Sequence, residues 1–326
     1  MAVHELLAAQ DIETHLRRYV VGQDEAVKTL SVAVASHYAR SAYEGDVILR
    51  KANVLIVGPT GVGKTRMVQA VSEIIDVPFA QVNATAITQP GFVGLDPDEP
   101  LRALLRVATP EEAARGICFI DEVDKIARRP SDEEEKSRNL TTNIGVQQAL
   151  LSVLEADGWR MEDGTVLDTR GILFVLAGAF VGIERIIAGR QRTRVARPMP
   201  LSMSEALRQL EPQDLIRYGL IPEFVGRMPV LVKMRPLDAG DILRVLREPA
   251  DSPERRMVAE FAGAGVRLVL SEAFLYEVAN EAAQHPLGAR SLEATMRERL
   301  RDAFYVARPG TTITVEAGGG WHVGNN

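Results

Sequence analysis

Apolar positions near the start of the chain recur at helical spacing. Ile12, Leu16, Tyr19 and Val20 share one face, and a similar pattern resumes after Gly22 from Ala26 to Tyr43. The pattern then changes. Residues 52–57, ANVLIV, form a short apolar run that stops at Gly58-Pro59, as expected of a strand buried on both faces and followed by a turn. Residues 65–75 read as the next helix and 77–82 as a second strand. Two more apolar runs opened by glycine, 116–120 (GICFI) and 171–176 (GILFVL), read as further strands. Strands alternating with helices imply an α/β domain on a central parallel sheet.

Past Arg235-Pro236 the pattern becomes α-rich. Helices are expected over 237–246, 254–261, 272–283 and 291–305, with β-like pieces at 266–270 and 312–315. The chain is therefore divided into a large domain over 1–230, a small α-rich domain over 235–312 and a tail over 313–326. The closing GGGWHVGNN is expected to fray. Two polar stretches, 127–143 with its SDEEEKSRN core and 189–205, are expected to be surface loops.

Composition narrows the class without naming it. The 326 residues are 46% apolar and 25% charged, which excludes collagen, a coiled coil and a disordered chain. The 38 basic and 44 acidic side chains give a net charge of −6, which argues against broad coating of nucleic acid. Cys118 is the one cysteine, so neither an internal disulfide nor a cysteine-based zinc site can form. With no secretory pattern at the start, the cytoplasm is the expected compartment. The longest nearly apolar run, 171–183, falls short of the ~20 residues of a membrane span. The five histidines have no metal-ligand spacing, and no Ser/His/Asp or Cys/His set points to a protease.

Candidate chemistry begins where the first strand ends. Gly58-Pro59-Thr60-Gly61-Val62-Gly63-Lys64-Thr65 satisfies G-x-x-x-x-G-K-[ST], with an apolar strand running in and a helix running out. Glycines let several backbone N–H groups face one anion, and the helix N-terminus adds a favourable dipole. Lys64 is expected to reach the β- and γ-phosphates of ATP, and Thr65 to offer its hydroxyl to Mg²⁺. The 117–120 run ends in Asp121-Glu122. Carboxylates at the end of a neighbouring parallel strand face the same crevice. Asp121 is the expected second Mg²⁺ ligand, and Glu122 the group that polarises the attacking water.

Longer stretches resemble one family. Tyr19-Val20-Val21-Gly22-Gln23, FIDEVDK (119–125), Gly145-Val146-Gln147-Gln148-Ala149-Leu150-Leu151, Leu220-Ile221-Pro222-Glu223-Phe224-Val225-Gly226-Arg227 and Gly288-Ala289-Arg290 are together similar to the AAA+ unfoldases of the ClpX/HslU branch, over about residues 11–310. The resemblance implies an AAA+ P-loop large domain followed by a small lid domain. It also implies a homo-oligomeric ring, a hexamer, that hydrolyses ATP to thread a protein substrate through an axial pore. Val21 then belongs to a segment that packs on adenine. Arg227 would act as an arginine finger in the neighbouring subunit's site, and Arg290 would touch the phosphates from the small domain. Gly91-Phe92-Val93-Gly94 resembles the first pore loop, with Phe92 where the family usually has tyrosine; bulk suffices for a sequence-tolerant grip. The second pore loop is expected near 137–144. A hinge near 229–236 would drive the stroke.

The chain also departs from that branch. It has neither the cysteines nor the length for the N-terminal zinc-binding domain of ClpX. The stretch 186–211 lacks the Ile-Gly-Phe tripeptide that docks a ClpP-type peptidase and is arginine-rich instead, so peptidase docking is in doubt and another adaptor or partner could use that stretch. A short ADGWRMEDGTVLDTR, reading as a hairpin, replaces a basic pore-entrance loop. No polar sensor-1 residue is evident in Ala177-Gly178-Ala179-Phe180. The Arg190–Arg197 cluster reads either as a solvated flexible loop or as a dock for an acidic partner or a nucleic acid. Two other classes stay in view: a nucleic-acid AAA+ motor or loader, which the acidic total and apolar pore loop oppose, and a non-hydrolytic scaffold, which Glu122 and Arg227 oppose.

Overall fold

A computed structural model describes residues 7–43, 51–87, 96–128, 138–192, 201–285 and 287–325. Helices α1 (Ala9–Leu16) and α2 (Asp24–Ser41) come first, followed by β1 (Val54–Val57) and α3 (Lys64–Ile75). Next are β2 (Phe79–Asn83), α4 (Glu99–Leu105), the single turn α5 (Pro110–Ala113) and β3 (Ile117–Asp121). The long α6 (Arg138–Glu155) leads into a hairpin of β4 (Gly158–Arg160) and β5 (Val166–Asp168), then β6 (Leu173–Gly178). Helices α7 (Ile183–Arg192), α8 (Met203–Arg208), α9 (Pro212–Tyr218) and α10 (Pro222–Gly226) precede β7 (Val230–Lys233).

The apolar runs become a five-stranded parallel sheet in the order β2-β3-β6-β1-β7. Every residue of β1 and β6, and all of β3 but its last, is buried, so helices cover both faces as a parallel sheet requires. Phe119, Phe174 and Leu55 are fully buried within these strands. Parallel pairing brings all five C-terminal ends to one edge, with β6 lying between β1 and β3. Cys118 in β3 is 1% exposed, its thiol faces the Pro100 carbonyl at 3.2 Å, and burial pushes its pKa up.

Contacts divide the chain into two units. The first is built on the five-stranded sheet, and the second takes 16–24, 60–63 and 236–326. The second unit holds α11 (Ala239–Arg247), α12 (Pro253–Gly263), β8 (Arg267–Leu270), α13 (Glu272–Gln284), α14 (Leu292–Val306), β9 (Thr311–Val315) and β10 (Trp321–Asn325). Asp238, Ser252 and Ser271 cap its first three helices by accepting backbone N–H groups. Its core packs Phe274, Leu275, Val278, Leu292 and Met296 against Ile313 and Val315.

Two expectations are corrected. Sheet strand β7, which pairs with β1, spans Val230–Lys233, between the expected domain limits at 230 and 235. The tail is not frayed: Trp321–Asn325 pairs antiparallel with β9, which in turn pairs parallel with β8, because Ile313 and Val315 are drawn into the core. The 189–205 stretch is not irregular throughout. Helix α7 continues to Arg192 and α8 begins at Met203, anchored by buried Ile183, Ile187, Ala206 and Leu207. The hairpin expected after α6 is present.

Candidate active site

The phosphate loop starts where β1 ends. Gly58 has no room for a side chain: an added Cβ would lie 2.5 Å from the Met234 carbonyl oxygen. Helix α3 begins at Lys64, so the loop delivers its last residues onto a helix N-terminus. Lys64 is 7% exposed, and its ammonium donates to the Gly58 and Pro59 carbonyls at 2.8 Å each. The cation is thus held on the loop it is expected to serve, at hydrogen bonds it can exchange for phosphate oxygens. Thr65 follows on the first turn of α3.

The carboxylates lie at the end of β3, on the same edge of the sheet. Asp121 accepts the backbone N–H of Glu122 at 2.8 Å. Glu122 itself is left-handed, φ 60° and ψ 31°, a conformation uncommon for a residue with a Cβ and one that gathers at functional sites. Its Oε2 accepts the Asn83 side-chain N–H at 2.9 Å. Asn83 ends β2 and pairs in register with Asp121. Sequence reasoning missed Asn83, although the rule that singled out Asp121 applies equally to the last residue of β2. Thr85 donates through its N–H and its hydroxyl to Asn83 Oδ1, at 2.9 and 2.8 Å, which leaves the Asn83 amide nitrogen aimed at Glu122.

Asp124 was also missed. It is 1% exposed, accepts the Ala179 N–H at 3.2 Å and has Lys125 Nζ 3.7 Å from its other oxygen. A polar group from the turn after β3 therefore meets the end of β6, in the segment where no sensor-1 residue was found. An added Cβ on Gly178 would lie 2.8 Å from the same Asp124 oxygen.

Arg227 caps the C-terminus of α10 and is about half exposed. Its Nε donates to Glu155 at the end of α6, and its carbonyl accepts the buried Asn53 side-chain N–H at 3.0 Å. The bland reading, an arginine at a helix end, is literally true of its position. Its exposure leaves the guanidinium accessible to a second molecule. Arg190 is different. Its side chain is 10% exposed and makes two 3.0 Å hydrogen bonds to Asp214, which is fully buried, plus one of 2.6 Å to the Gln209 carbonyl. That removes Arg190 from the cluster read as a dock: it fastens α7 to α9. Arg194 and Arg197 lie outside the described residues.

In the second unit, Val21 is buried beside the turn at Gly22, φ 71°. Within that same unit, residues 60–63 lie against 287–290. Gly61 has φ 82°, and a Cβ there would sit 2.6 Å from the Leu287 carbonyl oxygen and 3.6 Å from the Arg290 nitrogen. Arg290 sits in a single helical turn, Gly288–Ser291. The tip of the phosphate loop and the segment read as sensor 2 are thus neighbours. Gly91, Phe92, Val93 and Gly94 lie outside the described residues. The 137–144 stretch is largely the opening of α6.

Comparison with known proteins places this geometry. A family profile described as AAA domain (Cdc48 subfamily) matches residues 49–231. A protein of Porphyromonas gingivalis named ATP-dependent Clp protease ATP-binding subunit ClpX is 38% identical over 326 aligned residues, 94% of this chain and 79% of its own length. ClpX 3 of Methylococcus capsulatus is 38% identical over 91% of this chain and 75% of its own, and ClpX of Treponema denticola 36% over 91% and 77%. The chain belongs to the ClpX family of AAA+ ATPases. Like that family, it is a nucleotide-binding ATPase.

The site's donor set can be tested against Mg²⁺. A hydroxyl at Thr65 and a carboxylate at Asp121 are hard oxygen ligands, and Mg²⁺ usually takes one or two carboxylates and fills its shell with phosphate oxygens and water. Among the described residues no three His, Cys, Asp or Glu side chains form a metal cluster of their own. The ATPase of this family would therefore hold Mg²⁺ together with its nucleotide. No described helix is long and apolar enough to cross a membrane.

Proposed function

We propose that the chain is a ring-forming, hexameric protein unfoldase that draws polypeptide through an axial pore by hydrolysing Mg²⁺·ATP. One observation carries the catalytic part: Glu122, left-handed at the end of β3 and tethered by Asn83, on the sheet edge from which the phosphate loop leaves. In this reading Lys64 and the loop N–H groups bind the β- and γ-phosphates, and Thr65 and Asp121 would hold Mg²⁺, which would supply charge neutralisation during phosphoryl transfer. Glu122 takes a proton from the attacking water. Val21 packs on adenine, and Arg290 senses the phosphates from the second unit. Arg227 enters the neighbour's site, a role its half-exposed guanidinium supports.

Phe92 and Val93 grip the substrate. The relatives' printed names make them ATP-binding subunits of a Clp protease. For this chain we propose protein remodelling without a ClpP-type peptidase. The absence of an Ile-Gly-Phe tripeptide from 186–211 supports this reading, as does the use of Arg190 within the fold. Tight ATP-dependent binding of ClpP would overturn it. The acidic total, together with Arg190 turned inward, leaves the nucleic-acid motor with less support.

Glu122→Gln tests the core of the proposal. Hydrolysis is expected to fall by about 10²–10⁴, the usual share of a general base, while nucleotide still binds. The mass of this variant in solution should shift to a hexamer on adding Mg²⁺·ATP. A protein that binds ATP and stays monomeric would leave Arg227 without a site and end the ring reading. Phe92→Ala should then hydrolyse ATP but fail to unfold a tagged substrate.

A further inference from the structure

Gln147 stands in the middle of α6 with no solvent exposure. A buried amide is costly unless its groups are paired. Here Nε2 donates to the Ile126 carbonyl at 2.8 Å and to the Gly219 carbonyl at 3.3 Å, while Oε1 accepts the Ile221 N–H at 2.8 Å. The amide orientation is forced, because the reverse would set its oxygen against two carbonyl oxygens. These three partners belong to different segments. Ile126 ends the turn that starts at Glu122. Gly219 ends α9, and its carbonyl also accepts the Arg128 N–H at 2.9 Å. Ile221 is the N-cap of α10, and its own side chain supplies no capping bond.

Helix α10 is a single turn that leads directly to Arg227. Phe224 and Val225 seat it in the core. Its N-terminal end is bonded by Gln147, and its C-terminal end by Asn53, which precedes the strand that enters the phosphate loop. Both ends are thus tied by buried amides to the two segments that build the subunit's own nucleotide site. A lever one turn long, gripped at both ends, has little freedom to move alone.

We propose that Gln147 is a positioning residue that couples the Glu122 turn of one subunit to the arginine this subunit offers its neighbour. The proposal rests on the reading that Arg227 acts in trans. Movement of the turn after Glu122 shifts the Ile126 carbonyl. Gln147 carries that shift to Ile221, and α10 carries it to Arg227. Gln147 itself touches no substrate.

Two variants test this. Gln147→Leu removes all three bonds and risks the fold. Gln147→Glu is nearly isosteric and keeps the acceptor for Ile221. When ionised it sets a negative oxygen against two carbonyls; when neutral its O–H can again donate to Ile126. Hydrolysis by Gln147→Glu, relative to the unsubstituted protein, is expected to be down at least tenfold at pH 8 and to recover severalfold by pH 6. KM for ATP and the affinity for a fluorescent nucleotide should stay within about twofold. In an Arg227→Ala background the Gln147→Glu change should cost less than twofold more, since the residue it positions is gone.

Unsubstituted rates for Gln147→Glu across the pH range, with Arg227→Ala inactive, would overturn the coupling alone. A Gln147→Glu defect that keeps its full size in the Arg227→Ala background would do the same, assigning Gln147 a merely structural part. An Arg227→Ala protein that hydrolyses normally would overturn the trans reading and this proposal with it.

Discussion

At the scale of single residues, Glu122 combines a strained backbone with a directed hydrogen bond. The left-handed turn aims its carboxylate off the end of β3, and Asn83 holds one oxygen at 2.9 Å. Removing that donor should loosen the carboxylate without touching the phosphate loop. Asn83→Ala is therefore expected to lower kcat by about tenfold, the worth of one charge-assisted hydrogen bond, with KM for ATP little changed. Steady-state kinetics check this, and an equal loss of nucleotide affinity would show that Asn83 supports the binding site instead. Asp121, Glu122 and Lys64 were picked out as candidates by type and spacing alone. Asn83 was not, because an asparagine at a strand end usually reads as a turn former. Only the register that sets it beside Asp121 gives it a role.

At the scale of elements, the strands were the most legible part. Short continuous apolar runs bounded by glycine suit strands buried on both faces, and residues 54–57, 117–121 and 173–178 became the sheet centre. Helices read from periodicity also stood, except that the first ends at Leu16, short of Tyr19 and Val20. One miss came from taking polar composition for solvent exposure. Arginines around 190 suggested a loop, yet Arg190 is turned onto the fully buried Asp214 in an ion pair closing α7 on α9. Burial of the pair says little about net stability, but breaking it takes the guanidinium from Asp214 and leaves that buried carboxyl only the Glu211 N–H among its described hydrogen bonds. Arg190→Met is expected to cost about 3–5 kcal/mol of unfolding free energy, whereas Arg185→Ala, 89% exposed on the same helix, should stay within about 0.5 kcal/mol. Urea unfolding of both variants compares them directly. Similar midpoints would return Arg190 to the surface cluster.

At the scale of the whole molecule, acid sensitivity has a buried source. His37 donates from Nε2 to the Gly171 carbonyl at 2.8 Å, and burial pushes its pKa down to about 4, with Arg40 nearby acting in the same direction. The unfolded chain keeps the ordinary value of about 6.5. Above pH 6.5 both states are neutral and nothing changes. From 6.5 toward 4 the unfolded state binds the extra proton, so stability falls as pH falls. The loss reaches about 2 kcal/mol by pH 5. His37→Gln keeps a donor for Gly171 and should shed that share of the pH 7 to pH 5 difference; an unchanged difference would place the acid-sensitive group elsewhere. Titration is one consequence of burial, and chemical silence is another. Cys118 is the chain's one thiol; it is enclosed in β3, and its pKa is raised by that enclosure. A maleimide needs a thiolate it can reach. A second cysteine introduced at an open position, such as Tyr305 at 88% exposure, would therefore be the one labelled by a fluorophore, one dye per chain, with the native residue left in place.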